Sequence, residues 1–451
     1  MTNPKIDGKN SRIRPRERDA IVASLRAGVV PRVGQQHIQV GRAAEVRATI
    51  HDIERIAEGG AGCRFIIGEY GSGKTFFLHL VRSIALEKRL VTVHADLSPD
   101  RRLHAASGEA RGLYAELMRN LATRARPDGG ALASVVERFV TSALNEANAT
   151  GDHPRDAIKS RLATLSELTG GYDFAAVIGA YWRGYDTGDE RLRTDAVRWL
   201  RGEFTSRADA RATLGVRTII DDATIYDHLK LMARFVQLAG FNGLLVCVDE
   251  MVNLYKLAGS SARNANYEQV LRIVNDSMQG SAAHLGFLFG GTPEFLMDTR
   301  RGLFSYPALA SRLAGNAFAA AGRTDHSGPV LRLSNLTPED VFVLLTKLRH
   351  VYAGGDPAAY LVPDEALTAY MTHCATRIGD AYFRTPRETI RGFLDLLALL
   401  DQHPDLEWST LLNTVDLSPA PDPALTLPPD GRSIDTGPAA IDDDELSSFR
   451  L

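Results

Sequence analysis

"FIIGEYGSGKTFFL", residues 65–78, decides how the chain is read. An apolar run breaks into glycines, presents Lys74 and Thr75, then turns apolar again. Residues 68–75, "GEYGSGKT", satisfy the pattern G-x-x-x-x-G-K-[ST] at every fixed position. Glycines let successive backbone N–H groups turn inward as an anion nest. A helix that follows adds the positive end of its dipole. In this reading Lys74 reaches the β- and γ-phosphates of a nucleotide and the Thr75 hydroxyl ligates Mg²⁺. The alternative is a Gly-rich turn between a buried strand and a buried helix. The apolar strand before and helix after favour the cradle, which then requires a metal-holding carboxylate elsewhere.

"LLVCVDE", residues 244–250, ends a buried apolar run in two carboxylates. Asp249 is expected to hold the Mg²⁺ water shell, and Glu250 to polarise an attacking water. Such a pair alone is commonly a helix N-cap; beside a phosphate loop it reads as hydrolytic. "GFLFGGTPEF" is another buried strand, and its Thr292 lies either beside the γ-phosphate or in an ordinary turn. "TRRGLFSYPALASRL" supplies Arg300, Arg301 and Arg312. An arginine donated to a neighbour's γ-phosphate stabilises transition-state charge; otherwise these are solvated or ion-paired surface groups. Arg387 follows Pro386 in the first turn of a helix, where a cation opposes the dipole, which suggests a duty such as contacting nucleotide.

The run "CRFIIG", the helical pattern "TFFLHLVRSIALEK" and the run "LVTVHADLS" make a β-α-β order. That order implies a parallel sheet with right-handed crossovers and an α/β fold. Residues 101–215 change to helical periodicity and read as a helical insertion in a core spanning 18–328. Residues 329–412 read as a second helical domain, which the resemblance given below makes a lid. Residues 1–17 form a basic arm, expected to be flexible. From 413 to 451 the chain is acidic and proline-rich, ending "IDDDELSSFRL", and is expected to be disordered.

A net charge of −3 over 451 residues argues against blanket attraction to nucleic acid, so any such contact must be local. No apolar run approaches the roughly 18 residues of a membrane span, and the N-terminus lacks the apolar region of a secretory signal. Cys63, Cys247 and Cys374 lack C-x-x-C spacing and read as reduced core residues. A cytoplasmic location is expected.

These motifs in this order resemble the AAA+ ATPases, particularly their initiator-like branch. "HIQVGRAAEV" is similar to the segment that packs on adenine, with Ile38, Val40, Gly41 and Arg42 matching. Thr292 resembles the first sensor position, Arg312 in "SRL" the arginine finger, and Arg387 the second sensor. The resemblance makes Gly68, Glu69, Tyr70, Gly71, Ser72, Gly73, Lys74, Thr75 and Phe76 nucleotide-binding residues. A closer likeness is to the D-type ATP-binding proteins of BREX phage-defence systems and relatives in TerB-and-helicase operons such as Shango. It is carried by "LRAGVVPRVGQQHIQVGR", "ADLSPDRRLH", "DEMVNLYKL", "NYEQVLRIVND" and "GTPEFLMDTRRGLFSYPALASRL". It implies an oligomeric, ATP-hydrolysing switch whose partners are DNA and other defence proteins, including helicase, nuclease or TerB-domain subunits. Two rivals stay open: a regulatory ATPase acting on protein partners without DNA, and a slowly hydrolysing nucleotide-gated module.

Overall fold

The period-2 alternation of the strands sorts their side chains onto two faces of one sheet. Phe65, Ile67, Leu244, Val246, Val248, Phe287 and Phe289 enter one core. Ile66, Leu245, Cys247 and Leu288 enter another on the opposite face. The computed structural model describes residues 12–316, 319, 324–379, 382 and 386–414. Of the expected arm, 1–17, and the expected acidic tail, 413–451, residues 1–11 and 415–451 lie outside the described residues.

Five strands form the sheet: β1 (Ala61–Ile67), β2 (Val91–Asp96), β3 (Leu244–Asp249), β4 (Leu285–Gly291) and β5 (Val330–Arg332). Their order is β2-β3-β4-β1-β5, with every pair parallel. Strands buried on both faces read as continuous apolar runs, which is why β1, β3 and β4 are legible. β5 has only three residues, too few for a pattern, and sequence reasoning missed it. The sheet order inserts β4 between β1 and β3, so the carboxyl ends of all three meet at one edge. Ligands of open α/β sheets bind outside that edge, where the order reverses.

The apolar spacing of Ile21, Val22 and Leu25 predicts a helix from Arg18, but α1 (Pro15–Arg26) starts three residues earlier, because Pro15 is well suited to the first helical position. Ile13 and Ile21 are buried against Val341, Leu345, Phe393 and Leu397 of the C-terminal helices. "HIQVGR" reads from the sequence as a short extended piece, but a 3₁₀ turn, Gln35–His37, opens it and leads into α2 (Ala43–Ala57). α2 and α3 (Lys74–Glu87) cover one face of the sheet through Ile53, Ile56, Phe77 and Val81.

Between β2 and β3 lie α4 (Glu109–Arg119), α5 (Leu132–Thr150), α6 (Pro154–Leu162), α7 (Gly171–Thr187), α8 (Glu190–Leu200), α9 (Arg207–Leu214) and α10 (Ile225–Leu238). Their Tyr114, Phe139, Phe174, Trp199 and Phe235 form one continuous core with the sheet. Each fully buried aromatic of this kind stabilises the fold by about 1.5–3 kcal/mol, so the inserted helices are packed into the sheet's own core. All three cysteines are free; burial pushes the Cys247 thiol up to about 12 and that of Cys374 to about 11. Among the described residues no helix is long and apolar enough to cross a membrane.

Two glycines give opposite expectations. A Cβ on Gly290 would lie 2.1 Å from Asp249 Oδ1, so Gly290→Ala should cost about 1–3 kcal/mol in a urea melt, as overpacking does. Gly179 lies within α7 with nothing near its missing Cβ; Gly179→Ala should raise stability by up to about 1 kcal/mol.

Candidate functional site: a phosphate loop facing three strand-end carboxylates

The glycine loop closes in the geometry that its sequence requires. Gly71 and Gly73 both have φ of +81°, a conformation that costs glycine nothing and other residues about 1–2 kcal/mol. Gly73 is the N-cap of α3, which begins at Lys74, so the first turn's free N–H groups face the loop. A Cβ on Gly68 would lie 2.3 Å from Ser72 Oγ. Ser72 is 2% exposed, and its hydroxyl has no partner. A buried hydroxyl without a partner is costly, and a phosphate in the loop would supply an acceptor for it.

Lys74 Nζ donates to the carbonyls of Gly68 and Glu69, both at 2.8 Å. Burial lowers its ammonium pKa, while Asp249, Glu250, Glu294 and Glu69 act in the other direction. The Thr75 hydroxyl donates to Asp249 Oδ2 at 2.8 Å. Asp249 Oδ1 accepts from the Glu250 N–H at 2.8 Å. Two hard oxygens held together beside a phosphate nest fit Mg²⁺, which takes one or two carboxylates with waters and phosphate oxygens.

Glu250 has φ of +57°, which costs a non-glycine residue on the order of 1–3 kcal/mol and is typical of functional positions. Partial burial, then Asp249 and Asp96, push its carboxyl above the ordinary glutamate range. Asp96 pairs in register with Asp249; burial and Asp249 raise it likewise. Behind Asp249 a cavity of about 30 Å³ is lined by His79, Arg82, His94 and Asp96, among others. Burial and Arg82 push His79 down to about 4 and His94 to about 3, so both imidazoles are neutral at physiological pH.

The other expected residues fall into two groups. Arg42 sits beside the loop, with φ of +60°, and its Nη2 donates to the Ser72 carbonyl and, at 3.1 Å, to that of Ser334. Its Nη1 is buried without a partner. Gly41, with φ of +63°, abuts Asp340, while Ile38, Val40 and Phe76 pack into the second core with the C-terminal helices. Tyr70 is exposed and holds Arg387, whose Nη1 donates to the phenol oxygen at 3.3 Å. Thr292 follows the end of β4, which lies between β1 and β3, and its hydroxyl oxygen accepts from Phe295 N at 3.4 Å as the cap of a short helix, Pro293–Met297.

Arg312 is engaged within the chain, by Asn275 Oδ1 and the Ala308 carbonyl. Arg301 Nη2 donates to the carbonyls of Tyr255 and Leu257 at 3.2 Å. Arg300 is exposed, and no hydrogen bond of its guanidinium occurs among the described residues. Sequence reasoning missed Asp96, Ser334 and Asn335, whose Nδ2 donates to Glu69 Oε2 at 2.8 Å. Only the ending of "VTVHAD" in an acid could have pointed to the first.

A parallel sheet whose strand-end loop forms a phosphate nest, with Thr75 and Asp249 joined beside it, defines a P-loop nucleotide-binding protein. The family model of the BREX system ATP-binding proteins BrxC/D matches residues 13–416. The chain belongs to that family and is an ATP-binding protein. No curated protein matches it.

The raised Glu250 carboxyl predicts a stability effect of definite sign. Folding favours its protonated form, so its contribution is full below the unfolded glutamate value of about 4.3 and is lost as pH rises through the folded value. Glu250→Gln should therefore melt above wild type at neutral pH. That difference should shrink as the pH is lowered towards about 4.5; a pH-independent difference would contradict it.

Proposed function

We propose that the protein is a Mg²⁺-dependent ATPase that acts as a nucleotide-driven switch within a multi-protein antiphage system. The observation that carries this reading is the Thr75–Asp249 hydrogen bond, with Glu250 as the next residue. Bound Mg²⁺ would neutralise charge on the β- and γ-phosphates. The loop N–H groups and Lys74 hold the phosphates, and Arg42 fixes the loop's backbone. Glu250 orients the attacking water and takes up its proton. Its raised pKa suits a base, because a proton acceptor works best near the operating pH.

Tyr70 and Arg387 join the phosphate loop to the C-terminal helices, which supports a lid role for residues 329–412 and a nucleotide-sensing role for Arg387. Thr292 keeps a hydroxyl hydrogen free to donate while its oxygen caps the helix. An arginine acting in trans between copies of the chain completes the charge stabilisation. Arg300 is favoured over Arg312, because Arg312 would first give up two hydrogen bonds, each worth about 1 kcal/mol. DNA and other proteins of the same defence system are the proposed partners, in the cytoplasm.

Lys74→Ala should weaken ATP binding on the order of 100-fold in a calorimetric titration. Glu250→Gln should keep ATP affinity but lose roughly 10²–10⁴ in turnover. Wild-type turnover in Glu250→Gln would sink the assignment of the base. Mixing Arg300→Ala with Lys74→Ala subunits should restore part of the activity, since some interfaces then pair an intact loop with an intact arginine. A mixture as inactive as its components would remove Arg300 from the trans role.

A further inference from the structure

β2 and β3 run parallel, with Val91 opposite Leu244, so their starts share the sheet edge remote from the phosphate loop. At that edge an open groove of about 670 Å³ is lined by Arg89, Thr123, Arg124, Ser134, Arg138 and Phe241, among others. Every charged residue lining it is an arginine.

Two of these arginines are held side by side. Arg89 Nη2 donates to the Gly240 carbonyl at 3.2 Å, and Arg138 Nε donates to the neighbouring Ala239 carbonyl at 2.9 Å. The Arg138 guanidinium also lies 4.9 Å from the centre of the Phe241 ring. Arg89 adopts φ of +65°, and Asn242 holds that turn through the Arg89 and Lys88 carbonyls.

Capping the carbonyl end of α10 accounts for one N–H of each guanidinium, out of five. One cation would serve that purpose; two held together repel each other unless an anion joins them. The nearby acids do not fill this role. Glu87 pairs with Arg124 at 3.1 Å on the open surface, where such a pair contributes little, and Glu137 turns away to Arg193 at 3.2 Å. Arg126 stands exposed on the same turn as Thr123 and adds to the field.

We propose that this groove binds the phosphodiester backbone of a nucleic acid. Arginine forks and the hydroxyls of Thr123 and Ser134 are groups that contact phosphate oxygens. The lining holds no asparagine, glutamine or acid to pair with adenine or cytosine, and the arginines and hydroxyls that it does hold are the groups that contact phosphate. This deepens the DNA-associated part of the proposed function, and it does not depend on hydrolysis.

The test is fluorescence anisotropy on the full chain, with a labelled random-sequence duplex and its single strand, over a salt series. Wild type should bind at least one probe, and whichever it prefers assigns the form of nucleic acid. Arg124→Glu, an exposed change that leaves the core untouched, should weaken binding roughly tenfold, and Arg89→Ala/Arg138→Ala should weaken it further. Each arginine removed should make the salt dependence shallower by about one unit of slope, with ATP affinity unchanged. Unaltered affinity and slope in both variants would overturn the proposal. So would a wild type that binds ATP but neither probe, and that result would leave the nucleotide site standing.

Discussion

The hydrogen bond from the Thr75 hydroxyl to Asp249 joins two points 174 residues apart in the chain. One is the first turn of a helix launched by the glycine loop, and the other is the last residue of a buried strand. Neither side chain can hold this position unless β4 lies between β1 and β3, since the register of that sheet sets the level of both. The close fit extends to Gly290 of β4, where the absence of a side chain makes room for the Asp249 carboxylate. The large aromatic core under the inserted helices packs against this same sheet, which suits a site that must hold oxygen atoms within a few tenths of an ångström.

Around that bond the charges are arranged in opposition. Asp96 and Asp249 end adjacent strands, with Glu250 next in the chain, and Asp249, Glu250, Glu294 and Glu69 all act on Lys74. Burial first, and then the neighbouring carboxylates, raise the pKa of Glu250 and Asp96. A divalent cation would relieve the repulsion within the cluster, and neutral His79 and His94 add no competing charge behind it. At the far edge of the same sheet the logic is inverted: arginines are gathered with few acids. A protein with net charge near zero therefore carries two strong local fields of opposite sign.

How much of this could be read from the chain depends on the range of each interaction. The loop was legible because its requirements are local: glycines at fixed offsets, a lysine and a hydroxyl opening a helix. Asp249 and Glu250 were legible as the end of an all-apolar run. Arg42 was reached only through resemblance, because its partners, the Ser72 and Ser334 carbonyls, are set by tertiary packing. The same holds for Asn335 on Glu69 and for the docking of Ile13 and Ile21 among the C-terminal helices. β5 escaped because three residues carry no periodicity, and the start of α1 was misplaced because a basic run outweighed Pro15. The double arginine of the groove depends on two turns meeting across 151 residues, a proximity that no spacing in the sequence encodes.

The central claim is that Asp249 and Thr75 form the metal-binding half of an ATP site whose phosphate-binding half is the loop. Calorimetric titration of ATP with Mg²⁺ and with chelator, on wild type and on Asp249→Asn, tests it most directly. The account predicts that Mg²⁺ tightens ATP binding to wild type, and that Asp249→Asn retains metal-free binding but loses that gain. An Asp249→Asn variant with the full wild-type response to Mg²⁺ would contradict it.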